Sequence, residues 1–90
     1  MEKKTRPPRN FAPTKLKAAR LKAGLSQSNL AERTGLNVRT LQHYEQGSKN
    51  FDLVKFNVII NTCLVLNCRV EDIIENEETI KLFQEYNKKY

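Results

Sequence analysis

The sequence predicts an all-α fold that is organised around two short helices joined by one tight turn. Apolar residues recur at helical spacing in both halves of segment 27–46. Ser26 and Asn37 each place a side-chain acceptor directly before one of these patterns, as helix N-caps do. Gly35 lies between the patterns, where a left-handed residue can end one helix and let the next start at a steep angle.

The first elements follow from the same signals. Residues 1–13 contain three prolines and four basic residues without periodicity, which predicts a disordered basic arm. Helix 1 should begin after Thr14 and end near Ala23, before Gly24. Helix 2 should cover about 27–34 and helix 3 about 38–46, with Gly47 as its stop and a polar loop after it.

The segment FNVIINTCLVLN favours a strand by propensity, because it is rich in β-branched residues. Its larger apolar side chains nevertheless recur at helical spacing, and we predict a fourth helix. The proposed core stripe is Phe56, Ile59, Ile60, Cys63 and Leu66. Val58 and Val65 lie on the other side of this helix, as a partner surface if exposed and as core if covered.

Two further helices are predicted towards the C-terminus. A fifth helix should span about 70–74 and close the core with Ile73 and Ile74. Asn76 should cap a final helix, whose acidic first turn and basic last turn match the helix dipole. Its apolar stripe is Ile80, Phe83, Tyr86 and Tyr90. This stripe must be buried on its own domain or on a second copy of the chain.

Charge is distributed unevenly along the 90 residues, whose net charge is +6. Residues 1–24 carry eight basic side chains and one acidic, whereas residues 69–90 carry four basic and six acidic. A basic front and an acidic rear are typical of a protein with a nucleic-acid face. Without an apolar run of membrane-spanning length or a signal-peptide pattern, we expect one cytoplasmic domain.

Neither a metal site nor a disulfide is expected. The chain has one histidine and two cysteines, Cys63 and Cys68. One histidine leaves a structural zinc site short of ligands. Cytosolic thiols stay reduced, and residues five apart on a helix point in different directions. Both cysteines are therefore expected to be small buried hydrophobic residues, and no cofactor is predicted.

The motif that joins these elements resembles the phage Cro and repressor (XRE-like) family of helix-turn-helix domains. The resemblance rests on LKAARLKAG, GLSQSNLAERTGLNVRTLQHYEQGSKN and LNCRVEDII, and it covers about residues 14–75. It implies a five-helix repressor-like helix-turn-helix domain, to which residues 76–90 add an extra C-terminal helix. It also implies an ion pair between Arg20 and Glu45 that fixes helix 1 against the recognition helix.

In such a domain the recognition helix, here about 38–46, would enter the major groove of DNA. We expect five side chains to contact bases: Gln27, Val38, Arg39, Gln42 and His43. We expect phosphate contacts from Arg20, Ser28, Asn37, Thr40 and Lys49. A surface that was merely solvated would carry more Glu and Lys than this helix does.

The expected function is sequence-specific binding of double-stranded DNA by a transcriptional repressor that acts as a homodimer and is associated with the nucleoid. The alternative is a protein-binding module, such as an antitoxin whose C-terminal helix masks a protein partner. RNA binding is disfavoured because stacking aromatics are missing from the basic face. The sequence shows no nucleophile with a base and no phosphate loop, so we predict no enzyme activity and no membrane partner. The basic arm could enter the minor groove or be an ordinary terminus.

Overall fold

The computed structural model describes residues 13–90, which form five α-helices and two short 3-10 helices. The α-helices are α1 Lys15–Lys22, α2 Gln27–Thr34, α3 Val38–Gln46, α4 Phe56–Leu66 and α5 Glu77–Lys89. The 3-10 helices are Phe51–Leu53 and Val70–Asp72. Residues 13–90 contain no strand, and the predicted all-α fold class is confirmed. The arm predicted at 1–13 lies outside the described residues, apart from Pro13.

Helix ends in the first half of the chain are set by local hydrogen bonds. The side-chain oxygens of Thr14, Ser26 and Asn37 each accept a backbone N–H from the first turn of the helix that follows. Gly35 and Gly47 close α2 and α3 with φ angles of 76° and 84°, a conformation that a Cβ would strain. The steep turn between α2 and α3 therefore arises from residues within the turn itself.

The core lies where α1, α2, α3 and α4 meet. Its buried apolar members are Leu16, Leu30, Ala31, Leu41, Phe51, Ile59, Cys63, Leu66, Ile73 and Ile74. Phe51 reaches this core from the short 3-10 helix after α3, and its ring packs edge-on against Tyr44 with ring centroids 5.3 Å apart. This aromatic pair closes the loop that follows the helix-turn-helix against the body of the domain.

The segment of mixed propensity is a helix, as predicted, but its buried stripe differs from the expected one. Phe56 is 63% exposed, whereas Thr62 is buried and donates its hydroxyl to the Val58 carbonyl at 2.8 Å. Satisfying that hydroxyl inside the helix makes its burial tolerable. Val58 and Val65 are half-buried and pack against the core, so they do not form the exposed partner surface that one alternative required.

The expected fifth helix at 70–74 is only a 3-10 helix, Val70–Asp72. Asn67 ends α4 with φ 56° and Asn76 already caps the next helix, so little chain is left for an α-helix between them. The Arg69 N–H donates to the Asp72 carboxylate at 2.9 Å, and Ile73 leaves the helical region with φ −123°. Ile73 and Ile74 are nevertheless buried, as predicted.

The last helix, α5, lies against the domain through its N-terminal half. The Asp52 carboxylate accepts the backbone N–H groups of Glu75 and Asn76 at 3.1 and 2.9 Å, which fixes the start of α5. Ile80 and Phe83 are half-buried, whereas Tyr86 and Tyr90 are 60% and 83% exposed. Within the described part of the chain, no helix is long and apolar enough to cross a membrane.

Candidate nucleic-acid interface

Helix α3 presents one polar face to solvent and turns its only acidic residue inward. Leu41 is fully buried and Glu45 is 5% exposed, both on the inner side of the helix. On the outer side Val38, Arg39 and Gln46 are exposed, and Gln42 and His43 are half-buried. The surface that α3 offers to a ligand therefore contains hydrogen-bonding groups and a cation but no carboxylate.

The inward carboxylate of Glu45 is held by Arg20 of α1. Arg20 donates Nε to Glu45 Oε2 at 2.7 Å and Nη2 to Oε1 at 3.0 Å, so the pair is bidentate. Its Nη1 donates to the Leu25 carbonyl at 2.8 Å. The Thr14 hydroxyl also donates to the Glu45 carbonyl at 3.1 Å. Helix α1 thus holds α3 at a fixed orientation through both the side chain and the backbone of Glu45.

These contacts also bear on the expected phosphate role of Arg20. The residue is only 7% exposed, and each of the three guanidinium nitrogen atoms donates to a partner inside the domain. Reaching a phosphate would break this buried pair. We therefore withdraw Arg20 from the set of phosphate contacts and keep it as a residue that positions α3.

The same carboxylate organises two glutamines that the sequence singled out separately. Gln27, the first residue of α2, donates its amide nitrogen to Glu45 Oε1 at 3.0 Å. Its amide oxygen accepts from the Gln42 amide nitrogen at 3.3 Å. Gln27 therefore joins the interior carboxylate to the outer face of α3. The sequence gave no direct signal for this chain of contacts, because its members lie 15 and 18 residues apart.

The C-terminal end of α3 is closed by a second polar group. His43 Nδ1 lies 3.0 Å from Ser48 Oγ, and that hydroxyl donates to the His43 carbonyl at 3.2 Å. Which of the ring nitrogen and the hydroxyl donates to the other depends on the histidine tautomer, and Nε2 is not used in this contact. Lys49 follows at once, and its ammonium group is exposed.

The remaining candidate phosphate contacts lie around the starts of α2 and α3. Ser28 is exposed in the first turn of α2, and Thr40 is half-buried in the first turn of α3. The Asn37 side-chain oxygen accepts from the Arg39 and Thr40 N–H groups at 2.8 and 3.4 Å, so only its amide nitrogen is left for a ligand. At these two helix starts the Asn29, Arg39 and Thr40 N–H groups already donate to the cap side chains of Ser26 and Asn37.

Comparison with known proteins agrees with this geometry. Residues 16–57 match a family model described as Helix-turn-helix. The match runs from α1 into the start of α4, and it contains the turn, α3 and the Arg20–Glu45 pair. No curated protein and no solved structure matches the chain.

The matched segment and its two-helix motif define a DNA-binding transcription regulator of the helix-turn-helix class. Within that class, the matched segment is consistent with a Cro/repressor-like, XRE-type domain. Among residues 13–90, no group of three or more His, Cys, Asp or Glu side chains is placed to hold a metal ion.

Proposed function

We propose that this protein is a sequence-specific repressor that binds double-stranded DNA with α3 in the major groove. One observation carries the proposal: the single carboxylate of α3 is buried, while the groove-facing side holds Arg39, Gln42 and His43. A carboxylate on that side would repel the phosphates that line the groove. Burying Glu45 against Arg20 removes this repulsion and fixes the helix at the same time.

Base readout is assigned to the outward side chains of α3. Arg39 is exposed, and within residues 13–90 its guanidinium has no hydrogen-bond or ion-pair partner. It can donate to both O6 and N7 of a guanine. Val38 is 38% exposed and can contact a thymine methyl group. His43 uses Nδ1 on Ser48, and its Nε2 is proposed to contact a base edge.

Gln42 is proposed to read an adenine, with Gln27 as the residue that positions it. The contact to Gln27 uses one hydrogen of the Gln42 amide nitrogen. Its second hydrogen and its oxygen remain available, and these two groups pair with N7 and the N6 amino group of adenine. Both amide groups of Gln27 already have partners, so we assign it an indirect role in base recognition.

Phosphate contacts are assigned to groups on either side of the groove. The first turn of α2 offers backbone N–H groups and the Ser28 hydroxyl, while Asn37 and Thr40 lie at the start of α3. Lys49 lies beyond the other end of α3. This arrangement would hold the recognition helix at both ends of the stretch that reads bases.

Selection of bound sequences from a random pool of double-stranded DNA tests the proposal. We expect a defined motif that contains a guanine for Arg39 and an adenine for Gln42, enriched as two inverted copies. Recovery of unrelated sequences with no shared motif would contradict sequence-specific recognition. Tighter binding to single-stranded RNA in a parallel selection from a random RNA pool would contradict the proposal that the ligand is double-stranded DNA.

Lys49→Ala should weaken binding to all DNA sequences by a similar factor. A lysine that neutralises one phosphate contributes about 0.9 to the slope of log affinity against log salt, and this contribution should disappear. Binding isotherms at several salt concentrations measure it. Lys81→Ala on α5 removes the same charge from the acidic rear and should leave the slope unchanged. A loss confined to the selected motif would instead make Lys49 a base contact.

We further propose that two chains pair through α5 in solution and bind DNA as this dimer. Tyr86, on the apolar stripe of α5, is 60% exposed, and Leu82 beside it is 62% exposed. Phe83 shares a cleft of about 290 Å³ with Phe56, which is itself 63% exposed at the start of α4. We take these four residues, Phe56, Leu82, Phe83 and Tyr86, as the pairing surface. A two-fold pair would place the recognition helices about 34 Å apart, one turn of DNA.

Leu82→Glu tests this pairing because the side chain is exposed and its loss should not damage the core. We expect the free protein to sediment as a dimer at micromolar concentration and the variant as a monomer. Affinity for a site with two half-sites should fall by about a hundredfold or more. Gln84→Glu adds the same charge outside the stripe and should change neither result. A free protein that is monomeric whether or not Leu82 is changed would remove α5 from the pairing surface.

The exposed stripe on α5 also favours a second candidate function, capture of a different protein, as an antitoxin does. This candidate requires the stripe to stay open in the isolated chain, ready for its partner. The sedimentation experiment separates the two candidates, because a self-associated stripe is not open.

A further inference from the structure

The two cysteines lie on either side of the point where the chain reverses at the end of α4. Asn67 has φ 56° and ψ 51°, and the Cys68 N–H donates to the Cys63 carbonyl at 3.0 Å. This is the hydrogen bond of a Schellman motif, in which the side chains of the two joined residues are frequently in contact. On an unbroken helix the same spacing would separate the side chains by about 140°. The expectation that these thiols point apart was therefore wrong, because the helix does not continue past Leu66.

The two thiols differ in access and in ease of ionisation. Cys63 is 6% exposed, whereas Cys68 is half-buried and lines the cleft between α1 and the end of α4. Burial, with Cys68 as the next contributor, raises the pKa of the Cys63 thiol to about 12. Burial also raises the pKa of Cys68, but a hydrogen bond from Cys63 partly lowers it again. Cys68 is therefore the first of the pair to become a thiolate.

We propose that Cys63 and Cys68 form a dithiol site that small-molecule disulfides oxidise to an intramolecular disulfide across the end of α4. The Cys68 thiolate attacks the small disulfide, forms a mixed disulfide and releases one small thiol. Cys63 then gives up its proton, attacks the Cys68 sulfur and releases the second small thiol. The small disulfide gains two electrons and two protons, and the protein loses two thiol hydrogens.

The environment of the pair determines the kinetics of this reaction. Only the thiolate attacks, so the rate should rise about tenfold per pH unit below the pKa of Cys68. A thiol of high pKa is a poor leaving group, and the closed disulfide should therefore be reduced slowly by glutathione. The site is thus expected to close slowly and to stay closed once formed. It lies at the end of α4, outside the set of residues proposed to contact DNA, and the inference does not depend on DNA binding.

The test treats the full chain with oxidised glutathione at neutral and at mildly alkaline pH and follows its mass. We expect the wild type to lose two hydrogen masses, with a faster loss at the higher pH. In Cys63→Ser the second step has no thiol, so a stable glutathione adduct should accumulate on Cys68. Cys68→Ser keeps only the buried thiol, so this variant should react with oxidised glutathione more slowly than the wild type or Cys63→Ser.

Peptide mapping of the oxidised wild type should show Cys63 joined to Cys68 in one chain. Chains joined to each other, or a wild-type adduct that persists as it does in Cys63→Ser, would overturn the proposal. A faster reaction of Cys68→Ser than of Cys63→Ser would overturn the assigned order of attack. The wild-type mass and map decide the main inference even if one variant folds poorly.

Discussion

Glu45→Ala is expected to destabilise the protein by about 3–5 kcal/mol, because it leaves the Arg20 cation buried without its carboxylate. Arg20 is 7% exposed and has lost most of its contact with water. After the substitution its only remaining partner among the described contacts is the Leu25 carbonyl. Arg20→Ala should cost a similar amount, since it leaves the carboxylate with Gln27 as its side-chain donor. Urea unfolding followed by circular dichroism measures both changes.

The double variant Arg20→Ala/Glu45→Ala should cost clearly less than the two single costs together, because neither charge is then stranded. Replacing both residues by apolar ones of similar volume, as in Arg20→Met/Glu45→Leu, should recover much of the stability. Glu32→Ala removes an exposed carboxylate from α2 and should change stability by less than about 0.5 kcal/mol. Additive single costs would show that the two side chains do not stabilise each other.

Arg39→Ala is expected to reduce affinity for the selected DNA site by about 1–3 kcal/mol and to relax the preference at one base pair. The side chain is exposed, so the folded protein should be as stable as the wild type. Binding to random DNA should fall much less, because the variant loses one charge but keeps the other phosphate contacts. Competition between the selected site and single-base variants of that site identifies the base pair involved.

Arg39→Lys separates charge from geometry at this position. A lysine keeps the positive charge but cannot form the two parallel hydrogen bonds that a guanidinium makes to guanine. It should bind random DNA as the wild type does and still lose discrimination at the same base pair. Equal losses on selected and random DNA for Arg39→Ala would rule out a base contact and leave only a phosphate contact.

The parts of the fold that the sequence predicted well are those determined by neighbours in the chain. The caps at Ser26 and Asn37 each bond to backbone N–H groups two or three residues away. The left-handed residues Gly35 and Gly47 need only the absence of a Cβ. Short-range chemistry of this kind is visible in the order of residues, so the helix-turn-helix could be located within a residue or two.

The parts that were missed depend on contacts between distant segments. Phe51 is buried because Tyr44 and the core surround it, although its own segment has no periodicity. Phe56 lies on the periodic stripe of α4 and is exposed all the same, because the stripe runs past the edge of the core there. The short 3-10 helix Val70–Asp72 replaces the expected helix because Asn67 and Asn76 limit the length available.

The candidate site shows the same division. The outward residues of α3 could be named from the sequence, since helical periodicity places them on one side of the helix. Their arrangement into a chain from Arg20 through Glu45 and Gln27 to Gln42 depends on how α1, α2 and α3 pack. The sequence therefore predicted Gln27 as a base contact, whereas its hydrogen bonds favour a role in positioning Gln42.

The contact between Asp52 and the start of α5 has a consequence for the length of the DNA site. Asp52 lies in the 3-10 helix Phe51–Leu53 that follows α3, and its carboxylate accepts the two backbone N–H groups at which α5 begins. Beyond Phe83 the helix is exposed, so the contact with Asp52 at its start helps to set the direction in which α5 leaves the domain. In the proposed pair of chains joined through the outer half of α5, the angle between α5 and the rest of the domain would set the distance between the two recognition helices. The preferred spacing between the two half-sites would then depend on the Asp52 contact, independently of the bases that α3 reads.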